Sequence, residues 1–185
     1  MAMPADSPPA FPQHPRPWTL EEVLAIQGDN GQWIELVDGA VIVSPSPTPT
    51  HQRVLRRVLV GLLDAVPAGM ELLPNVNVVL NGQRLLIPDL VVTNAPGHTD
   101  LYFTGEQIVL ATEILSPSTR AYDRVLKRQL YAEAGIAYYL VVDPAPVTPS
   151  AALLRLDGED YREVAASVDG LLRLERPFPA TVNLA

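Results

Sequence analysis

The chain contains no cysteine, which excludes a disulfide framework and any thiolate zinc site and suits a reducing cytoplasm. Aromatic residues are sparse at 6%, and no apolar run approaches the length needed to cross a bilayer. Basic residues are also scarce. Thirteen Lys and Arg against twenty-one Asp and Glu leave a formal net charge of −8. Proteins that grip nucleic acid over a broad surface are usually basic, because phosphate neutralisation dominates their affinity. Any such surface here must be local, drawn from Arg53, Arg56 and Arg57 or from Arg120, Arg124 and Arg128. A solvated helix face is the plainer account of either group, above all of the first. Neither a G-x-G-x-x-G nor a Walker motif is present, so the nucleotide-cradling folds lose their main support.

Proline, by contrast, is plentiful. Six of the first 17 residues are proline, without the apolar stretch of a signal peptide, so residues 1–17 are expected to form a tail ahead of one domain over 18–185. With 185 residues, 48% of them hydrophobic and 18% charged, the chain can build one sizeable core.

Thr19-Leu20-Glu21-Glu22 reads as a capping box for a short helix that stops near Gly28. Asp38-Gly39 between two apolar runs is a hairpin turn. The Ser44-Pro45-Ser46-Pro47-Thr48-Pro49 stretch must be irregular, and a helix from about Thr50 to Ala65 follows, with Val54, Leu55, Val58, Leu59 and Leu62 on one face. Strands are expected from Asn75 to Leu80, Arg84 to Thr93, Gln107 to Leu115 and Ala137 to Val142. A helix is expected from about Thr119 to Ala134, ended at Gly135. Short alternating strands from Ala152, Tyr161 and Leu171 complete a C-terminal β-meander, a surface on which a homodimer could pair. The order describes a mixed α/β (α+β) domain and not a regular βαβ array.

Two acids interrupt apolar strands: Asp89 in Leu86-Ile87-Pro88-Asp89-Leu90-Val91 and Glu113 in Leu110-Ala111-Thr112-Glu113-Ile114-Leu115. A buried carboxylate must be protonated, paired with a base or bound to a cation. One such acid has a plain explanation as a strand end or a structural ion pair. Two on neighbouring strands fit a hard-cation site, since Mg²⁺ takes one or two carboxylates and completes its shell with water and phosphate. Lys127 falls on the flank of the apolar arc formed by Tyr122, Val125, Leu126 and Leu130, where helix geometry by itself favours an ordinary snorkelling lysine. Alternation permits Glu35 to face solvent, and His51, at a helix start, is expected to be exposed. His14 and His98 make no cluster with it. Ser118 or Thr119 is placed to cap the following helix, whose free N–H groups could receive phosphate. A nucleophilic role for Ser116 or Ser118 lacks both a G-x-S-x-G and a placed histidine.

Taken together, Glu35-Leu36-Val37-Asp38-Gly39, Ser44-Pro45-Ser46-Pro47-Thr48 with His51-Gln52, Pro88-Asp89, Glu113-Ile114-Leu115-Ser116-Pro117-Ser118-Thr119, Asp123 through Lys127, and Tyr139-Leu140-Val141-Val142-Asp143-Pro144 resemble the Uma-two family. These are restriction-endonuclease-like proteins of the PD-(D/E)XK nuclease superfamily, and the resemblance covers about residues 18 to 184. It implies a restriction-endonuclease-like core, a mixed β-sheet flanked by helices. It also implies hydrolysis of nucleic-acid phosphodiesters, DNA foremost, with Mg²⁺ or Mn²⁺ held by Asp89, Glu113 and the backbone carbonyl of Ile114. The superfamily's lysine usually stands two residues after the second acid, a position filled here by Leu115. The family takes it instead from the next helix, which matches Lys127, while Glu35 and His51 match its N-terminal acid and its histidine. A fold kept as a non-catalytic binding or assembly module is the rival expectation, favoured by the acidic charge and the displaced lysine.

Overall fold

The computed structural model describes residues 14–26, 33–44, 46–116, 122–144 and 148–185. The stop at Gly28, the caps at Ser118 and Thr119, Arg120 and most of the proline-rich tail fall outside those residues.

The first helix, α1 (Leu20–Ile26), opens as expected. Glu22 N–H donates to Thr19 Oγ1 at 3.3 Å and Thr19 N–H returns a bond to Glu22 Oε2 at 3.0 Å. Arg16 adds a second hold on Glu22 at 2.6 Å. The Arg16 bond, with the Thr19 backbone bond second, lowers the Glu22 carboxyl from 4.5 to about 2. The sign follows directly: this cap stabilises the folded chain fully above about pH 4.5 and is lost as pH falls toward 2. A carboxyl titration followed by NMR should give Glu22 a midpoint near 2; a midpoint near 4.5 would show the cap to be open in solution.

Strands β1 (Trp33–Val37) and β2 (Ala40–Ser44) form the hairpin, with Asp38 at φ 50° and Gly39 at φ 86° in its turn. Helix α2 (Pro49–Leu63) starts one residue earlier than expected, because Thr48 Oγ1 accepts from His51 N–H at 3.2 Å and Pro49 takes the first helical position. Its buried face holds Val54, Leu55, Val58 and Leu62. At Gly61 the helix comes so close to the C-terminal strand that a Cβ there would lie 2.9 Å from Val182 Cα.

A strand not read from the sequence, β3 (Glu71–Pro74), comes next, and then β4 (Val78–Asn81). The single strand expected from Arg84 to Thr93 is in fact two, β5 (Arg84–Leu86) and β6 (Leu90–Thr93), which lie in different sheets. Proline cannot donate to a ladder, so pairing breaks at Ile87-Pro88 and the chain crosses between sheets there. Asp89 stands at that crossing.

After β7 (Phe103–Thr104) and a 3₁₀ turn at Gly105–Gln107, β8 (Ile108–Ile114) runs through the interior. The next helical stretch differs from expectation. Tyr122–Lys127 is π-helical, and only Arg128–Glu133 (α3) is α-helical, with Gly135 at φ 74° just beyond. In a π-helix bonds run from i to i+5, so each residue advances less than 100° about the axis. The expected apolar arc is therefore wrong in phase: Val125 is 68% exposed and Lys127 only 4%.

The remaining strands are β9 (Tyr138–Asp143), β10 (Ser150–Asp157), β11 (Asp160–Ala166), β12 (Leu171–Leu174) and β13 (Ala180–Asn183). One mixed sheet has the order β11-β10-β9-β8-β6-β3, with β8 and β9 parallel. A second has the order β2-β1-β5-β4-β7. Of the C-terminal meander, β10 and β11 extend the first sheet, whereas β12 pairs with β13 in a separate ribbon.

Period-two alternation gives the first sheet two buried faces. Leu90, Val92, Leu110, Ile114, Leu140 and Val142 pack beneath α2 and the ribbon. Val91, Ala111 and Tyr139 pack with Leu130 and Tyr131 of α3 and with Val78 and Leu86 of the second sheet. Among the described residues no helix is long and apolar enough to cross a membrane.

Candidate active site

Asp89, Glu113, Lys127, Glu35 and His51 gather in one buried region where β6 begins and β8 ends. The register Leu90↔Thr112, continued by one residue, sets Asp89 opposite Glu113. Asp89 Oδ2 accepts from Ile114 N–H at 2.7 Å, so its carboxylate is tied to the peptide that follows Glu113. From the α2 side His51 Nε2 lies 3.2 Å from the same oxygen. His51 was expected at the surface but is 7% exposed, because the first turn of α2 presses onto the strand mouth beside Asp89. Nδ1 is buried without a hydrogen-bond partner among the described residues.

Two residues beyond Ala111, Glu113 shares its face of the sheet and therefore points at the helical segment. Lys127 Nζ lies 2.9 Å from Glu113 Oε1 and 2.9 Å from Glu35 Oε1. Glu35 also receives Ile87 N–H at 2.9 Å. The solvent-facing orientation expected of Glu35 is a correction too, since it is 2% exposed. β1 is an inner strand whose Ile34 and Leu36 pack under α1, so its opposite face meets the rest of the protein and not water. The snorkelling expectation for Lys127 fails for a related reason: the π-turn aims the whole side chain inward.

Two tyrosines complete the region, and neither was singled out from the sequence. Tyr131 donates to Glu113 Oε1 at 2.6 Å. Lys127 Nζ sits 5.5 Å from the centre of the Tyr122 ring, within cation–π range. Burial, followed by the charge of Glu113, pushes the Tyr131 phenol well above its usual range, so it remains a donor. Burial and then the Glu35 charge raise Tyr122 likewise. The only sequence signal for either was a tyrosine on the turns flanking Lys127.

The burial of these acids is thus compensated within the chain, Glu113 and Glu35 by Lys127 and Asp89 by Ile114 N–H and His51. A hard divalent cation still suits the donor set. Asp89 and Glu113 border one peptide, and in a β-ladder a residue's N–H and C=O face the same neighbour, so the Ile114 carbonyl looks toward Asp89 as well. Among the described residues no three or more His, Cys, Asp or Glu side chains gather to hold a metal ion. A cation here would rely on two carboxylates, a main-chain oxygen and water, which is the habit of Mg²⁺.

The basic patches are mostly committed elsewhere. Arg57 donates to the Leu184 carbonyl at 2.6 Å, Arg124 pairs with Asp143 at 3.2 Å and Arg128 with Asp160 at 2.9 Å. Arg53 and Arg56 are exposed on α2.

Residues 20–185 match the Uma2 (Uma-two) family, described as "Putative restriction endonuclease". No curated protein matches the chain. The crystal structure of "a putative nuclease belonging to DUF820 from Anabaena variabilis ATCC 29413" is similar, with a TM-score of 0.64 over 80% of this chain and 84% of that one. Sequence identity is 17%, so this likeness is one of fold. Mixed sheets flanked by helices, as found here, form a restriction-endonuclease-like core. With the family match spanning all but the first 19 residues, the chain belongs to the Uma2 family.

Proposed function

We propose that the protein is a metal-dependent endonuclease that hydrolyses nucleic-acid phosphodiester bonds, with DNA the first substrate to test. The observation that carries this reading is the convergence of Asp89, Glu113, Lys127, Glu35 and His51, from both sheets and two helical segments, on one buried region. Asp89, Glu113 and the Ile114 carbonyl would hold Mg²⁺ or Mn²⁺, which when bound supplies Lewis acidity for phosphate-ester hydrolysis.

The chain's own groups do the rest. Lys127 offers an ammonium to the charge that develops on the phosphate oxygens, in a dry setting where such contacts are strongest. Glu35, anchored on Ile87 N–H, restrains that ammonium from the side opposite Glu113. His51 holds Asp89 in a single orientation.

A second reading, a nuclease fold kept as a binding or assembly module, draws on the net charge of −8 and on Lys127 already neutralising Glu113. One assay separates the two. Supercoiled and linear DNA, incubated with the full chain and Mn²⁺, is expected to be cut, and EDTA is expected to abolish cutting. Metal-independent cutting, or none with any divalent cation across varied DNA and RNA, would overturn the proposal.

A further inference from the structure

We infer that Tyr131 is a positioning residue for Glu113, fixing the orientation in which its carboxylate meets a divalent cation; this rests on the reading above. Tyr131 is fully buried on α3, and its hydroxyl donates to Glu113 Oε1 at 2.6 Å. Lys127 Nζ reaches the same oxygen at 2.9 Å. With Oε1 committed to two donors from one helical segment, the plane of the carboxylate is fixed, and its second oxygen with it.

The phenol is itself held from behind. Its ring stands edge-on to Tyr139 with centroids 5.3 Å apart, and Tyr139 lies 5.8 Å from Tyr161. Tyr161 in turn donates to the Ile136 carbonyl at 2.5 Å, which fixes the outer end of this aromatic row. A hydroxyl placed by three packed rings is pre-organised, so its hydrogen bond restrains Glu113 instead of following it. Partners that orient a metal ligand typically account for 10- to 100-fold in affinity.

The test is calorimetric titration of Mn²⁺ into the full chain, with metal-free melting measured in parallel. Tyr131→Phe keeps the ring and removes the donor. It is expected to raise the Mn²⁺ Kd about tenfold. Thr93→Val, which loses a comparably buried hydroxyl bond to the Gln107 carbonyl at the far end of β6 from Glu113, is expected to leave the Kd unchanged. Should Tyr131→Phe fail to fold, 4-aminophenylalanine at that position keeps the ring with a weaker donor and should give a smaller rise. An unchanged Kd in the folded Tyr131 variant, or an equal rise in Thr93→Val, overturns the inference alone. A wild-type chain that binds no Mn²⁺ overturns it together with the metal-dependent reading.

Discussion

Lys127→Met is expected to lose about 3–5 kcal/mol of folding stability, the usual cost of removing one partner from a buried ion pair. The thioether stem fills nearly the same space, so the loss is electrostatic. Glu35 and Glu113, 2% and 3% exposed, would face each other's charge with no ammonium between them. Ile87 N–H and the Tyr131 hydroxyl still serve them, but neutral donors do not cancel a second negative charge. Saturating Mn²⁺ should return part of the lost stability, because a cation that binds only the folded chain shifts the equilibrium toward it. Activity moves the other way and stays low, down about 100- to 1000-fold in kcat, since the donor to the phosphate is gone. Urea unfolding with and without Mn²⁺, beside a cleavage assay, reads all three effects. A variant as stable as wild type would mean that the pairing does not persist in solution.

Asp89→Asn should show the opposite profile. The substituted amide oxygen can still accept from Ile114 N–H, so metal-free stability is expected to change by only about 1 kcal/mol. What disappears is the charge. A neutral amide beside Glu113 leaves one carboxylate where two are needed, and Mn²⁺ binding and DNA cleavage are expected to fall below detection. Unaltered Mn²⁺ affinity in a well-folded Asp89→Asn protein would remove Asp89 from the ligand set. The pair of variants therefore separates a charge that also holds the fold, Lys127, from one proposed to act as a ligand, Asp89.

Much of this arrangement was legible before any coordinates. The capping box at Thr19 and Glu22, the Asp38-Gly39 turn, the apolar stripe of α2 and the through-running β8 all obey local rules that the sequence states openly. Asp89 and Glu113 announced themselves because an acid in an apolar strand demands compensation. Four features were hidden, each because tertiary contacts set it. One strand was expected to run through Pro88 from Arg84 to Thr93, and nothing local marks it as the point where the chain changes sheets. The π-helical turn at Tyr122–Lys127 leaves no mark in hydrophobic periodicity, so a count at 100° per residue put Val125 inside and left Lys127 on the flank. Glu35 alternated as a half-exposed strand residue should; nothing local told that a second sheet would close over it. His51 was misread likewise, since exposure at a helix start depends on what the helix is docked against.

The resemblance carried what geometry from sequence could not, namely that the lysine arrives from the helix instead of standing at position 115. Its Nζ lies 2.9 Å from Glu113 Oε1 and 2.9 Å from Glu35 Oε1.

The most direct measurement is a crystal structure of the full chain soaked in Mn²⁺, with the metal located by its anomalous signal. An ion is expected within about 2.0–2.3 Å of carboxylate oxygens from both Asp89 and Glu113, close to the distances of hard-cation sites, with the Ile114 carbonyl completing the protein's share. No anomalous peak between those two acids at saturating Mn²⁺, with Lys127 still seated on Glu113, would contradict the account.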